Sequence, residues 1–242
     1  MKTVAAKGLA PVLDETSWDG PTLRLGDISF ETGMREWSEW EDADGRFLLM
    51  KPPDLLRAYA QFWRGRSMPR NVVELGVWEG GSAVFWFEAF APEKHVAIDH
   101  TDREDSEHFA SYVRRRGVTD RLKTYWGVDQ ADREALQEII AREFDGPVDL
   151  VIDDASHIYE PTRASFETLF PRLGRGGLYI IEDWQWSYQP EPPAGFENAE
   201  PVSRLVHEVL DAVGRGGGPV QSIIATHPFV AIRKGLTPER SG

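Results

Sequence analysis

The stretch NVVELGVWEGGSAVFWFEAFAPEKHVAIDH, residues 71–100, decides the fold. Its opening run NVVELGV, 71–77, reads as a buried strand, and GGSAVFWFEAFA, 80–91, as a helix that begins at paired glycines. KHVAIDH, 94–100, is a second strand. Strand, helix and strand in that order make one βαβ unit, because the connection is too long for a hairpin and suits a parallel crossover.

The same alternation continues downstream. EDSEHFASYVRRRG (104–117) reads as a helix closed by glycine, RLKTYWG (121–127) as a strand and DREALQEIIAREF (132–144) as a helix. PVDLVIDD (147–154), EPTRASFETLFPRL (160–173), GGLYIIED (176–183) and PVSRLVHEVLDAVG (201–214) follow as strand, helix, strand and helix. VQSIIAT and FVAIRKG end the chain as two strands joined by only a few residues, so they must pair antiparallel. The expectation is an α/β, Rossmann-like fold: a mostly parallel seven-stranded sheet, an antiparallel C-terminal hairpin, and helices on both faces.

Residues 1–70 read differently. They carry Trp18, Trp37, Trp40 and Trp63 but little strand–helix alternation before PPDLLRAYAQFW, a helix starting near Pro53. The division expected is an N-terminal extension over 1–70, serving as a lid or an oligomer contact, and a catalytic domain over 71–242. A proline- and aromatic-rich loop at 185–200 is expected to border the ligand crevice, which in such sheets lies beyond the carboxyl ends of the parallel strands.

At 242 residues and 41% hydrophobic composition, the chain can bury a sizeable core. Its net charge of −13 argues against nucleic acid as a partner, since phosphate binding draws on clustered Lys and Arg. The cluster Arg114-Arg115-Arg116 is read instead as the complement of a helix C-terminus. No apolar run reaches bilayer length and the first residues lack a signal-peptide core, so no membrane partner is expected. With no cysteine, disulfides and thiolate metal sites are excluded, which is compatible with a cytoplasmic setting.

ELGVWEGGS places Glu74 at the end of the first strand, then Gly76, Gly80 and Gly81, then Ser82 as a helix N-cap. The spacing is not GxGxxG and no GK[ST] follows, which disfavours a dinucleotide pyrophosphate or a P-loop phosphate. Asp99 ends the second strand, where it can accept hydrogen bonds from ribose hydroxyls. The glycine turn, the acidic ribose position and the terminal hairpin together favour S-adenosylmethionine over NAD.

From residue 71 to about 234 the sequence resembles class I S-adenosylmethionine-dependent methyltransferases. Within them it is most similar to the group that holds macrocin- and mycinamicin-type sugar O-methyltransferases and cephalosporin-hydroxylase-like proteins. VELGVWEGGSA, YWGVDQAD (125–132) and the pair IDDASH with IIED carry the resemblance. It implies that Glu74, Gly76, Gly80 and Ser82 line the methionine part of the cofactor and that Asp99 holds the ribose. Asp129 and Gln130 would lie near adenine and Asp153 at the amino group; His100 would be a cofactor contact. It also implies a homo-oligomer.

DLVIDDASHIYEPT (149–162) and GGLYIIEDW (176–184) each end an apolar run in two adjacent carboxylates. Three carboxylates at neighbouring strand ends suit a hard divalent cation, Mg²⁺ or Mn²⁺. The resemblance assigns the metal to Asp154, Glu182 and Asp183 and the general base to His157. Tyr159, Trp184 and Trp186 flank that site and are candidates to hold the substrate. His95, His108, His207 and His227 are assigned no function. The function expected is metal-dependent methylation of a sugar hydroxyl on a glycosylated natural product, as in antibiotic biosynthesis, the acceptor being a small molecule. The alternatives are O-methylation of a catechol or other diol, and a cofactor-binding partner protein without chemistry.

Overall fold

In the computed structural model, the described residues are 9–33, 45–191, 198–216 and 218–235. Trp37, Trp40 and residues 192–197 of the 185–200 loop lie outside them. The central sheet runs through β5 (Asn71–Leu75), β6 (Lys94–Ile98), β7 (Leu122–Tyr125), β8 (Val148–Asp153), β9 (Leu173–Glu182), β10 (Val220–Ala225) and β11 (Phe229–Lys234), in the spatial order β10-β11-β9-β8-β5-β6-β7. β5 to β9 are parallel throughout, while β11 pairs antiparallel with both β9 and β10. Seven strands, the parallel core and the antiparallel terminal hairpin are therefore as the alternation implied.

Strand alternation divides the core between the two faces. Val72, Ala97, Leu150 and Ile152 pack with α2 (Pro53–Phe62), α3 (Gly81–Phe90) and α4 (Glu107–Arg116). Val73, Val96, Val151 and Tyr179 pack with α5 (Arg133–Glu143), α6 (Tyr159–Leu169) and α7 (Ser203–Arg215). Local chemistry fixes the helix ends. Ser106 Oγ accepts from Phe109 N at 3.2 Å and Asp132 Oδ1 from Ala135 N at 3.0 Å, while Gly117 turns α4 off with φ +64°. Gly80, not Ser82, occupies the N-cap position of α3, at φ +86°, so the expected serine cap is two residues too late.

The segment before residue 70 departs from the sequence expectation. It contains α1 (Ala10–Leu13) and a second sheet of β1 (Trp18–Asp19), β2 (Thr22–Leu25), β3 (Ile28–Thr32) and β4 (Arg46–Leu49), in that order. This sheet shares one apolar cluster with α3 and the central strands: Leu23, Phe30, Phe47 and Leu49 pack with Phe85, Trp86 and Val72. That explains why α3 is apolar on every side, since it is enclosed between two sheets. β4 comes so close that a Cβ at Gly81 would lie 1.8 Å from Leu48 O. No helix of the described residues is long and apolar enough to cross a membrane.

Candidate active site

A cavity of about 620 Å³ opens at the carboxyl ends of the parallel strands. Its walls come from the β5–α3 turn (Gly76, Val77, Trp78, Gly81, Ser82), from Asp99 and His100 after β6, and from Val128, Asp129 and Gln130 after β7. Asp154 to Ile158, Asp183 and Trp186 add further lining, and Leu48, Met50 and Lys51 of the N-terminal segment complete it. Gly76 has φ +89°, and a Cβ there would sit 2.2 Å from Asp154 O, so only glycine lets β5 and β8 end side by side.

Asp99 organises the turn. Its Oδ2 accepts from Val77 N at 2.8 Å and Trp78 N at 3.0 Å, and its Oδ1 from Thr101 N at 2.8 Å. Burial alone would raise its pKa, but the donations from Thr101, Val77 and Trp78 outweigh it and hold the carboxyl below the usual aspartate value. His100 projects into solvent at the rim, its side chain 82% exposed. Asp129 is exposed, with Oδ1 accepting from Ala131 N at 2.8 Å. Gln130 is turned inward: its amide nitrogen donates to Ser165 Oγ at 3.1 Å and toward Asp153, and its oxygen accepts from Ser156 N at 2.8 Å.

Five expected cofactor or substrate residues do not line the cavity. Glu74 alternates with Val72 toward the α2–α3 face, where it is fully buried with His95 Nε2 at 3.1 Å. Asp153 points to the opposite face, taking hydrogen bonds from Tyr179 OH at 2.5 Å and Ser165 Oγ at 3.0 Å; burial nonetheless keeps its pKa raised. Tyr159 is buried, its hydroxyl donating to Glu208 Oε1 at 2.7 Å, and Trp184 Nε1 donates to Thr226 O at 2.8 Å. Gly80 shapes the turn without lining the cavity; a Cβ there would strike the Phe109 ring at 2.5 Å. Trp186 does reach the cavity, with its ring 4.6 Å from that of His157.

The acidic strand ends meet as the sheet order required, with Asp153 of β8 in register with Ile181 of β9. Asp154, His157 and Asp183 each offer a ligand atom within 4.8 Å of the others. His157 has φ +56° and Asp183 φ +53°, so both stand on left-handed backbone that turns their side chains toward this point. His157 Nε2 lies 3.9 Å from Asp154 Oδ1. Burial, then the Asp154 charge, push the Asp183 carboxyl up.

Glu182 has other partners. Lys51 Nζ donates to Glu182 Oε2 at 2.6 Å and to Asp154 Oδ2 at 2.8 Å, and Tyr59 OH donates to Glu182 Oε1 at 2.7 Å. Burial pulls the Lys51 ammonium down, but the charges of Asp154 and Glu182 prevail and hold it above the ordinary lysine value. Burial pushes Glu182 up, with Lys51 pulling back and Asp154 adding to the rise. The grouping expected from the sequence, Asp154 with Glu182 and Asp183, therefore has a lysine inside it. Lys51 and Tyr59 were missed because their contacts span 103 and 123 residues. The one local signal was a cation closing the apolar run FLLM, directly before Pro52-Pro53.

Residues 73–184 match a family model described as a methyltransferase domain. Demethylmacrocin O-methyltransferase of Streptomyces fradiae is 38% identical over 132 residues, which cover 52% of this chain and 30% of that protein. The 8-demethyl-8-alpha-L-rhamnosyl tetracenomycin-C 2'-O-methyltransferase of Streptomyces olivaceus is 36% identical over 179 residues, covering 68% of this chain and 44% of that protein. The crystal structure of the MycE methyltransferase from the mycinamycin biosynthetic pathway, in complex with Mg and SAH, aligns with a TM-score of 0.56 and 29% identity. That alignment covers 80% of this chain and 52% of MycE. The chain thus spans less than half the length of these curated relatives.

Proposed function

We propose, from the match of residues 73–184 to a methyltransferase-domain model, that the protein is an S-adenosylmethionine-dependent O-methyltransferase whose acceptor is a sugar hydroxyl of a glycosylated small molecule. The observation that carries the reading is His157, held beside Asp154 and Asp183 in a cavity that the β5–α3 turn also lines. The names of the relatives support the acceptor class, since those proteins act on macrocin- and rhamnosyl-type substrates.

The cavity volume of about 620 Å³ suits a nucleoside-sized ligand together with part of an acceptor. Gly76 and Val77 would bring main chain close to the cofactor, and Asp99, already fixed by three backbone donors, would keep the turn in shape. The cofactor supplies an electrophilic methyl group. Asp154 and Asp183 offer two carboxylates to a hard cation such as Mg²⁺ or Mn²⁺, which when bound would acidify a nearby hydroxyl. His157 would accept the proton of the acceptor hydroxyl as that oxygen takes the methyl. A C–O bond forms, the C–S bond breaks, and the products are a methyl ether and S-adenosylhomocysteine. Trp186, packed on His157, would limit where the sugar ring lies.

The test is methyl transfer from labelled S-adenosylmethionine by the purified chain, against glycosylated macrolides and free catechols, with His157→Gln alongside. Transfer to the sugar, with kcat lowered about 10²–10⁴-fold in the variant and S-adenosylhomocysteine affinity retained, is expected. Transfer to catechols alone removes the sugar assignment. Cofactor binding without transfer to any acceptor identifies a binding protein.

A further inference from the structure

Lys51 enters the acidic site from outside residues 73–184 and is almost fully buried there, at 2% side-chain exposure. It sits between Asp154 Oδ2 and Glu182 Oε2, the position a divalent cation bridging those carboxylates would take. Glu182 has no oxygen left without a donor, since Tyr59 OH engages Oε1. Asp154 is divided: Oδ2 serves Lys51, while Oδ1 faces His157.

The lysine is also held in place. Lys51 N donates to Leu49 O at 2.6 Å, its carbonyl accepts from Gly33 N at 3.1 Å, and Pro52 and Pro53 start α2 immediately after it. Tyr59 lies on that same helix, wedged against Trp86 and Phe229 with ring centroids at 4.7 and 4.5 Å. The short segment from Lys51 to Tyr59 therefore delivers both donors to Glu182. An ammonium and a divalent cation cannot share so small a low-dielectric space without strong repulsion.

We infer that Lys51 takes Glu182 out of the metal's ligand set, leaving a two-carboxylate site at Asp154 and Asp183 whose cation affinity Lys51 sets. The inference rests on the reading above that a divalent cation is bound beside His157. It makes Lys51 a positioning residue: with one carboxylate fewer, more coordination positions stay with water or with acceptor oxygens.

The experiment is calorimetric titration of MgCl₂ and of MnCl₂ into the full chain saturated with S-adenosylhomocysteine, comparing wild type, Lys51→Met and Glu182→Gln. Folding of each is checked by circular dichroism and by S-adenosylhomocysteine binding, and Lys51→Gln replaces Lys51→Met if the latter does not fold. The expected result is metal affinity about tenfold tighter without the lysine charge, and within about twofold of wild type in Glu182→Gln. Affinity about tenfold weaker in Glu182→Gln, or no tighter in the Lys51 variant, overturns the inference, because Glu182 would then be a ligand or Lys51 a bystander. If wild type binds neither metal, the metal part of the proposed function fails. The Lys51 variant then decides alone: a gain of binding sustains the inference and no gain ends it. Absence of methyl transfer by wild type would count against the proposed function without altering these titrations.

Discussion

Gly81→Ala tests whether the N-terminal sheet is an integral wall of the cavity. The added Cβ would lie 1.8 Å from Leu48 O and 2.8 Å from Leu48 C, both backbone atoms that no side-chain rotation can move. Side-chain carbons essentially never come within 3.0 Å of such atoms, so β4 or α3 must shift by at least 1.2 Å, the difference between 3.0 and 1.8. A radial gap of about 0.5–1 Å already forfeits a quarter to a half of the dispersion across a packed layer. The layer in question holds Phe30, Phe47, Leu49 and Phe85. Overpacking typically costs about 1–3 kcal/mol, and a backbone clash belongs at the upper end. Alanine's helix preference over glycine returns at most about 1 kcal/mol, leaving a net loss of about 2 kcal/mol. For a chain of this size that is a fall in Tm of about 4–8 °C, read by circular dichroism. Leu48, Met50 and Lys51 line the cavity, so S-adenosylhomocysteine binding should weaken in the same variant. A Tm within about 1 °C of wild type with unchanged affinity would refute the reasoning, for β4 would then not be pressed against α3.

Gly214→Ala is the counterpart. Nothing lies within 4 Å of a Cβ there and the residue is an exposed member of α7, so stability should rise by about 0.4–1 kcal/mol in urea unfolding. Asp99→Asn leaves at least one of the three backbone donors without its charged acceptor and should cost about 2–3 kcal/mol at pH 7, with weaker S-adenosylhomocysteine binding. The pH dependence has a definite sign. The folded carboxyl lies below its unfolded value of about 3.9, so its contribution is complete above that pH and is lost as pH falls through the lower folded value. The stability gap between wild type and Asp99→Asn should therefore be constant from neutrality to about pH 4 and close below it; a gap that widens in acid would contradict this.

The central sheet was legible because its signal is local. Runs such as NVVEL, HVAI and LVID are apolar on both faces, and helices of ten or eleven residues between them leave a parallel crossover as the one connection that fits. The joint THP between β10 and β11 likewise permits only a hairpin. The N-terminal sheet carried weaker marks: strands of two to five residues, and a β3–β4 pairing that is parallel and joins Ser29 to Arg46. In TLRLGDISF the alternation of Leu23, Leu25, Ile28 and Phe30 about Gly26-Asp27 was nevertheless a readable hairpin.

The acidic pairs show where a motif read as a block goes astray. Adjacent residues at a strand end leave on opposite faces, so DD and ED cannot deliver both carboxylates to one place. Asp153 follows Val151 toward α6 and is consumed by Tyr179 and Ser165. Glu182 follows Ile180 toward α2 and is consumed by Lys51 and Tyr59. What reaches the cavity is the other member of each pair, Asp154 and Asp183, one step past the strand and already turning. Glu74 obeys the same parity, since it shares the α2–α3 face with Val72 and leaves the cavity to Gly76. Parity was available from the sequence and sends Asp153 to one face and Glu74 and Glu182 to the other, while Asp154 and Asp183 reach the cavity because each lies one residue past its strand. The identity of Glu182's partners was not available, because Lys51 and the α2 residue Tyr59 lie more than a hundred residues away in sequence.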